Sequence, residues 1–432
     1  MNPSLLHQLE ELKETKTTIF GLDFRAYDYI RKEPYDFVIY CGKQQIHYRN
    51  QMSRVSVTPE MLTWACERAG YDVDYFARRI PNLKSWVRQE KKPTFKQLEK
   101  FANHTYTPFG YFFYPEPPEE NDNPIVDFRT IFQKKNKLSR NLIDTINYML
   151  RRQEWLQEYL IEKDSHPLDF VGCASLNDKP KEIAIGIRKR LGLEKGWSNK
   201  VKTWQAAIGL LRDKMDDIGV MVVINGVVGN NTRRTLDVNE FRGFALVNSY
   251  TPLIFVNAAD SKSAQMFTLA HELAHIWLGK GGISNLEKLY PNNIDVEIWC
   301  NQVAAEFLVP EEELLIQWND VKNQTNRFEY LARKFKVSPI VIYRRVLDLR
   351  FINRDHFFKI YNNYMGKELK NRGVGGDFYN NQNSRIGKLF ALNVLNSAIQ
   401  GRTDFKEAYD LLGLYGGTFQ EFAKKNGVFL PE

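Results

Sequence analysis

Two histidines and a glutamate stand close together in the segment FTLAHELAHIWLG, residues 267–279. His271 and His275 are four residues apart, so on a helix they lie one turn apart on the same face, and both imidazoles can reach one tetrahedral Zn²⁺. Glu272 is rotated by about 100° from His271, which places its carboxylate beside the metal rather than on it. The spacing predicts metal-assisted hydrolysis, with Glu272 as the general base that takes a proton from the attacking water.

Two surface histidines on an ordinary helix would show the same spacing, and this is the alternative for the HExxH pattern. The flanking sequence favours the metal site, because the segment contains no proline and follows a predicted strand pair. The apolar residues of the helix also fall on the stripe opposite the histidines, where a core would lie. These residues are Met266, Leu269, Leu273 and Ile276.

A catalytic zinc site needs a third protein ligand and an open fourth position. The segment VEIWCNQVAAEFLVP, residues 296–310, offers two carboxylates, Glu297 and Glu306. We favour Glu297, because small and apolar residues suggest that this helix packs on the HELAH helix with its N-terminal half near the metal. The alternative for Glu297 is a solvated glutamate stabilised by the helix dipole. Cys300, on the same face, could ligate or inhibit the metal, although a small buried thiol is the more common state of such a cysteine.

Composition and charge exclude several classes of protein. The 432 residues, 43% hydrophobic and 26% charged, indicate more than one globular domain rather than a disordered chain. The longest apolar stretch, residues 219–229, is roughly half the length that a bilayer-spanning helix needs, so no membrane partner is expected. Four cysteines without CxxC spacing and the lack of a secretory signal pattern predict a cytoplasmic protein. The net charge of +8 permits binding of a polyanion without establishing it.

Periodicity and turn residues predict a mostly helical α+β protein. Short β-branched runs at 220–224, 243–247 and 253–256 predict a small antiparallel sheet just before the HExxH helix. The predicted segments are a lead-in with a hairpin at 1–52, a helix-turn-helix unit at 53–114, a Pro- and acid-rich linker at 115–125, a peptidase domain ending in a helical pair at 126–350, and a helical C-terminal extension at 351–432.

The segments PLIFVNAAD, FTLAHELAH and EIWCNQVAAEFLVP together resemble the ImmA/IrrE family of metallopeptidases over roughly residues 181–349. The family pattern is a strand pair, FTLAHELxH, and a helix of the form E-x-x-x-N-x-x-A-A-x-x-L-x-P. The resemblance implies a zincin-like fold with His271, His275 and Glu297 as zinc ligands and Glu272 as the catalytic residue. It also implies a substrate, because family members cleave or otherwise inactivate a helix-turn-helix repressor and so switch on stress-response, mobile-element or phage-defence genes.

Residues 57–113 resemble the Xre-like helix-turn-helix half of longer, two-part relatives. Basic residues predominate between residues 78 and 100, which suits contacts with DNA phosphates. No Gln or Asn pair opens the predicted recognition helix, which argues against reading of base edges and leaves a solvated basic face on a protein-docking unit as the alternative. The residues predicted to contact DNA are Arg78, Arg79, Lys84, Arg88, Lys91 and Lys92.

Two functions remain open on the sequence alone. The first is a zinc-dependent endopeptidase that acts on a repressor-like protein. The second is a DNA-binding transcriptional regulator or antitoxin in which the peptidase fold is mainly a scaffold. A toxin-like protein is a further predicted partner, because the C-terminal extension resembles that of longer relatives, some of which are encoded beside such a protein.

Overall fold

The computed structural model describes residues 37–41, 44–48, 54–118, 138–284, 294–353, 357 and 378–429. The chain divides into two compact units, Met1–Asn121 and Asp122–Glu432. Helices predominate in both units, and the second unit also contains a small mixed sheet. The mostly helical α+β class that the sequence predicts is therefore confirmed. Across the described ranges, no helix is long and apolar enough to cross a membrane.

The first unit contains a two-stranded antiparallel ladder and a cluster of short helices. Thr58, Asp72 and Thr94 stand before three of the helices, and each side chain accepts a hydrogen bond from a backbone N–H of the first turn. The elements are β1 (Phe37–Cys41), β2 (Gln44–Tyr48), α1 (Pro59–Arg68), α2 (Val73–Ala77), α3 (Leu83–Val87), α4 (Phe95–Thr105) and a 3-10 helix (Phe109–Phe113). That these helices form an Xre-like domain remains a prediction.

The second unit begins with long helices, continues into the sheet and ends in helices again. Its elements are α5 (Arg140–Glu162), α6 (Pro180–Arg190), a 3-10 helix (Trp197–Lys200), α7 (Trp204–Asp217), β3 (Met221–Asn225), β4 (Val227–Val228), β5 (Asn231–Thr235), β6 (Gly243–Leu246), β7 (Leu253–Asn257), α8 (Lys262–Leu278), β8 (Gly282–Ser284), α9 (Ile294–Leu308), α10 (Glu311–Val321), α11 (Arg327–Phe335), α12 (Pro339–Asp348), α13 (Phe378–Ile386), α14 (Lys388–Ile399), α15 (Phe405–Leu412) and α16 (Gly416–Lys425).

The central sheet has the strand order β3-β7-β6-β8 and is mixed rather than antiparallel. Strand β7 pairs antiparallel with β6, and β6 pairs antiparallel with β8. Strand β3, in contrast, runs parallel to β7, with Met221 opposite Leu253. The prediction of an antiparallel sheet was wrong for this strand. Strands β6 and β7 form a hairpin, and the outer edge of β7 is left to pair with β3.

Alternate residues of the strands face two separate cores, as the two-residue period of a strand requires. On one face, Val222, Ile254 and Val256 pack with α7, α8 and α9. On the other face, Met221 and Phe255 pack with α5 and the C-terminal helices. Because both faces are covered, the strands have continuous apolar sequences instead of alternating ones.

The C-terminal helices share the second core with the sheet and are held there by α5. The buried Arg152 of α5 donates hydrogen bonds to the carbonyls of Arg385 and Ile386, at 3.2 and 3.0 Å, where α13 ends. Burial lowers the pKa of Arg152 to about 10, so its guanidinium remains charged near neutral pH. A cation at a helix C-terminus is favourable because of the helix dipole. Gly387 approaches the sheet so closely that a Cβ there would lie 3.2 Å from Cγ2 of Val223.

Candidate metal centre

Helix α8 carries the HExxH segment through the first core of the second unit. It begins after Ser261, whose hydroxyl accepts a hydrogen bond from Ala264 N at 3.3 Å, and it ends at Gly279, which has a φ of 70°. The four apolar residues that the sequence assigns to a core stripe are fully buried there. The helix is therefore anchored along its apolar side, which fixes the direction of its polar residues.

The structure brings His271, His275 and Glu297 together. The two Nε2 atoms are 3.1 Å apart, and the carboxylate oxygens of Glu297 lie 3.1 Å from Nε2 of His271 and 3.3 Å from Nε2 of His275. Ligand atoms on a tetrahedral Zn²⁺ at about 2.0–2.1 Å are separated by roughly 3.3 Å, so these atoms can surround one ion. Within the described part of the chain, this is the cluster of three His, Cys, Asp or Glu side chains that could hold a metal.

The two histidines are oriented by different contacts. Nδ1 of His275 lies 2.8 Å from the carbonyl oxygen of Lys280. A carbonyl oxygen can only accept, so Nδ1 carries the proton and Nε2 keeps its lone pair for a metal. Nδ1 of His271 is buried and has no hydrogen-bond partner among the described residues. The His271 ring instead packs between Phe267 and His275, with ring centroids 6.4 and 4.8 Å away.

The charges at the site stabilise one another. Burial alone would raise the pKa of Glu297, but hydrogen bonds from His271 and His275 hold that pKa well below its usual range. Burial also lowers the pKa of His275, whereas Cys300, Glu297 and Glu272 raise it, and the net effect is a pKa well above the ordinary value. A proton and a metal ion compete for the same imidazole nitrogen, so acidification opposes metal binding.

Glu272 lies beside the three-residue cluster and is completely buried. The strand β6 passes directly over it, because a Cβ at Gly243 would lie 3.2 Å from Oε1 of Glu272 and 2.5 Å from Cγ2 of Thr268. Only glycine permits this approach. Gly243 was not among the residues predicted for the site, although an isolated glycine within a strand signals the close approach of another group.

The second carboxylate of α9, Glu306, has a structural role. It is 4% exposed, pairs with Arg345, and accepts a hydrogen bond from the backbone N–H of Glu311 at 3.3 Å. It lies nine residues beyond Glu297, or about 13 Å further along the helix. Cys300 is also buried, and burial raises the pKa of its thiol while His275 opposes that shift. Cys300 lies outside the cluster of ligand atoms.

The residues predicted to contact DNA lie on the first unit, and all six are exposed. Several are engaged within the unit, so they are less available to phosphates than the sequence suggests. Lys84 pairs with Asp74 at 2.6 Å, and Arg88 lies 3.9 Å from Glu90. The other contacts are Lys92 Nζ with Ser56 Oγ at 2.7 Å, and the Arg79 guanidinium over the Tyr75 ring at 5.0 Å.

Comparison with protein families gives two matches. Residues 215–347 match the model of the M78 peptidases, described as the IrrE N-terminal-like domain, and residues 386–425 match a domain of unknown function, DUF8813. A search of curated proteins found no match. The first match contains the whole His271, His275 and Glu297 cluster as well as Glu272. Residues 215–347 are thus similar to a peptidase domain, and this supports the ImmA/IrrE family for that part of the chain.

Proposed function

We propose that the chain is a zinc-dependent endopeptidase with Glu272 as its catalytic residue and His271, His275 and Glu297 as its metal ligands. One observation carries the proposal. Three ligand atoms separated by 3.1 to 3.3 Å stand next to a buried glutamate, within a segment that is similar to a peptidase family. Two imidazoles and one carboxylate are the protein ligands of one common type of catalytic zinc site.

His271, His275 and Glu297 would bind the metal, and Glu272 transfers the proton. A bound Zn²⁺ would act as a Lewis acid that polarises the scissile carbonyl and makes water more acidic. Glu272 takes the proton from the attacking water and delivers it to the nitrogen of the leaving amine. The hydrogen bond from His275 to Lys280 holds the imidazole in the tautomer that a metal requires. The carboxylate of Glu297 contributes negative charge, which favours a dication over a water molecule at this position.

We infer that the substrate is a helix-turn-helix repressor, because the peptidase segment is similar to a family that acts on such proteins. The purified chain, incubated with a repressor of this class and Zn²⁺, is expected to produce discrete fragments. The fragments should disappear when a chelator removes the metal and return when Zn²⁺ is restored. They are to be separated by electrophoresis and identified by mass spectrometry.

The control for substrate class is casein, which has no helix-turn-helix unit. Cleavage of both proteins would support the proposed peptidase activity and contradict the proposed specificity for helix-turn-helix repressors. If the repressor remains intact at every zinc concentration, the proposed substrate is wrong. If the purified chain binds no zinc, the proposed metal site is wrong.

DNA binding by the first unit is a second candidate function, favoured by its exposed basic side chains. Replacing Arg78 and Lys91 together with glutamine should weaken binding to every DNA sequence. It should also reduce the slope of log K against log salt by about 2, since each phosphate contact contributes about 0.9. Replacing Lys424 and Lys425 of α16 with glutamine removes the same charge elsewhere and should leave the slope unchanged. Equal slopes for both variants, or no binding at low salt, would contradict this role.

A further inference from the structure

The orientation of His275 depends on a turn that follows α8. The imidazole Nδ1 donates to the carbonyl of Lys280 at 2.8 Å. That carbonyl is placed by a left-handed turn, in which Gly279 has a φ of 70° and the backbone N–H of Lys280 donates to the carbonyl of His275 at 3.1 Å. Mutation of a hydrogen-bond partner of a metal-ligating histidine commonly lowers the metal affinity by about 10- to 100-fold. Anything that fixes this turn therefore acts on the metal site.

A loop from a distant part of the sequence holds the same turn. The backbone N–H of Gly172 donates to the carbonyl of Ile276 at 3.0 Å, and the N–H of Ala174 donates to the carbonyl of Trp277 at 2.9 Å. The last carbonyls of a helix lack the donors of a following turn, and at the end of α8 the loop adds to the bond that Ile276 O already accepts from Gly279 N–H at 3.1 Å. The two backbones are in close contact, because a Cβ at Gly279 would lie 2.9 Å from Cα of Gly172.

The loop is itself anchored by Phe170. Its ring is 5% exposed and stacks on the ring of Trp277, with centroids 4.5 Å apart and planes at 24°. The guanidinium of Arg190, the last residue of α6, lies over the same ring, 5.1 Å from its centroid. Phe170 thus contacts both α6 and the last turn of α8. This stack fixes the loop in the position where it meets Gly279.

We propose that residues 170–174, which lie outside the segment similar to the peptidase family, position His275 by clamping the turn of Gly279 and Lys280, and so set the affinity of the site for zinc. The proposal rests on the metal site of the proposed function. It applies to His275 and not to His271, whose Nδ1 has no partner among the residues that the structure describes. Phe170, Gly172 and Gly279 are positioning residues, since they act through Lys280.

The test measures zinc affinity in the full chain, by competition with a chromophoric chelator at fixed pH. Gly279→Ala forces the turn and the loop apart, and Phe170→Leu releases the loop without touching the turn. Each is expected to raise the zinc dissociation constant by about tenfold or more. The unfolding midpoint of the metal-free protein is recorded for every variant, so that a loss of zinc affinity can be distinguished from a loss of stability.

Two control variants match these changes away from α8. Gly401 follows α14 with a φ of 69° and has no atom within 4 Å of a Cβ, so Gly401→Ala introduces similar backbone strain. Phe335 of α11 is buried in the same core as Phe170, so Phe335→Leu makes the same loss of an aromatic ring. Both controls should lower the unfolding midpoint and keep the zinc dissociation constant within about twofold of the parent.

The outcomes separate this proposal from the peptidase activity. Zinc binding that is weakened in Gly279→Ala and Phe170→Leu, but not in the controls, supports the positioning of His275 by residues 170–174, even if no protein is cleaved. Parental affinity in both variants overturns it, as does equal weakening in the controls. A parent chain that binds no zinc would overturn the clamp and the proposed function together.

Discussion

Replacing Glu272 with glutamine is expected to reduce the rate of cleavage strongly while zinc remains bound. Glutamine has nearly the same shape as glutamate, so it can occupy the buried space beneath Gly243, but it cannot accept the proton of the attacking water. Loss of a general base lowers the rate by about 10²- to 10⁴-fold. The measurements are the initial rate of fragment formation and the zinc content per chain, on protein with a parental unfolding midpoint.

The ratio of zinc content to rate decides the role of this residue. Full metal content with a much reduced rate assigns proton transfer to Glu272. A parental rate in Glu272→Gln would show that another group serves as the base. Loss of zinc from this variant would instead make Glu272 part of the ligand set, contrary to its place beside the cluster.

The two carboxylates of α9 are expected to respond in opposite ways to the same substitution. Glu297→Gln removes the negative ligand and should weaken zinc binding by about 100-fold or more, since ligands matter at least as much as the groups that orient them. Glu306→Gln should leave zinc affinity unchanged. It should lower the free energy of unfolding by about 3 kcal/mol, because Arg345, whose side chain is only 11% exposed, loses its charged partner.

Each variant is the control for the other, since both replace a glutamate on one helix with glutamine. Zinc affinity is measured by chelator competition, and stability by urea unfolding of the metal-free protein. The assignment of the third ligand fails if Glu306→Gln loses zinc and Glu297→Gln keeps it. Equal zinc loss in both would indicate that the substitutions act through the fold of α9.

The side chains of the candidate metal site could be placed together from the sequence because most of the geometry is local. Helical spacing alone places His271 and His275 on one face, and the packing of α9 on α8 requires little more than small and apolar residues at the right period. The prediction of Glu297 came partly from the family resemblance. The distances between its carboxylate and the two imidazoles now place it at the cluster.

The features that the sequence did not reveal depend on contacts between distant residues. Strand β3 pairs in parallel with the free edge of β7 because the other edge of β7 is paired with β6, and no local sequence pattern indicates this arrangement. The oxygen of Lys280 that His275 contacts belongs to the backbone, so the type of side chain at position 280 does not indicate this contact. The donors of residues 170–174 are also backbone groups, and they reach α8 across about a hundred residues of sequence.

The two-sided sheet has a consequence for handling the protein as fragments. A piece cut at residues 215 and 347, where the family match begins and ends, would retain α8 and α9 but lose α5, α6, most of α7 and every helix after α12. Met221, Val223 and Phe255 would then face water across one whole side of the sheet. Such an exposed apolar surface favours aggregation. The smallest soluble fragment that keeps the candidate metal site should therefore need both flanking stretches, however well residues 215–347 match a known domain.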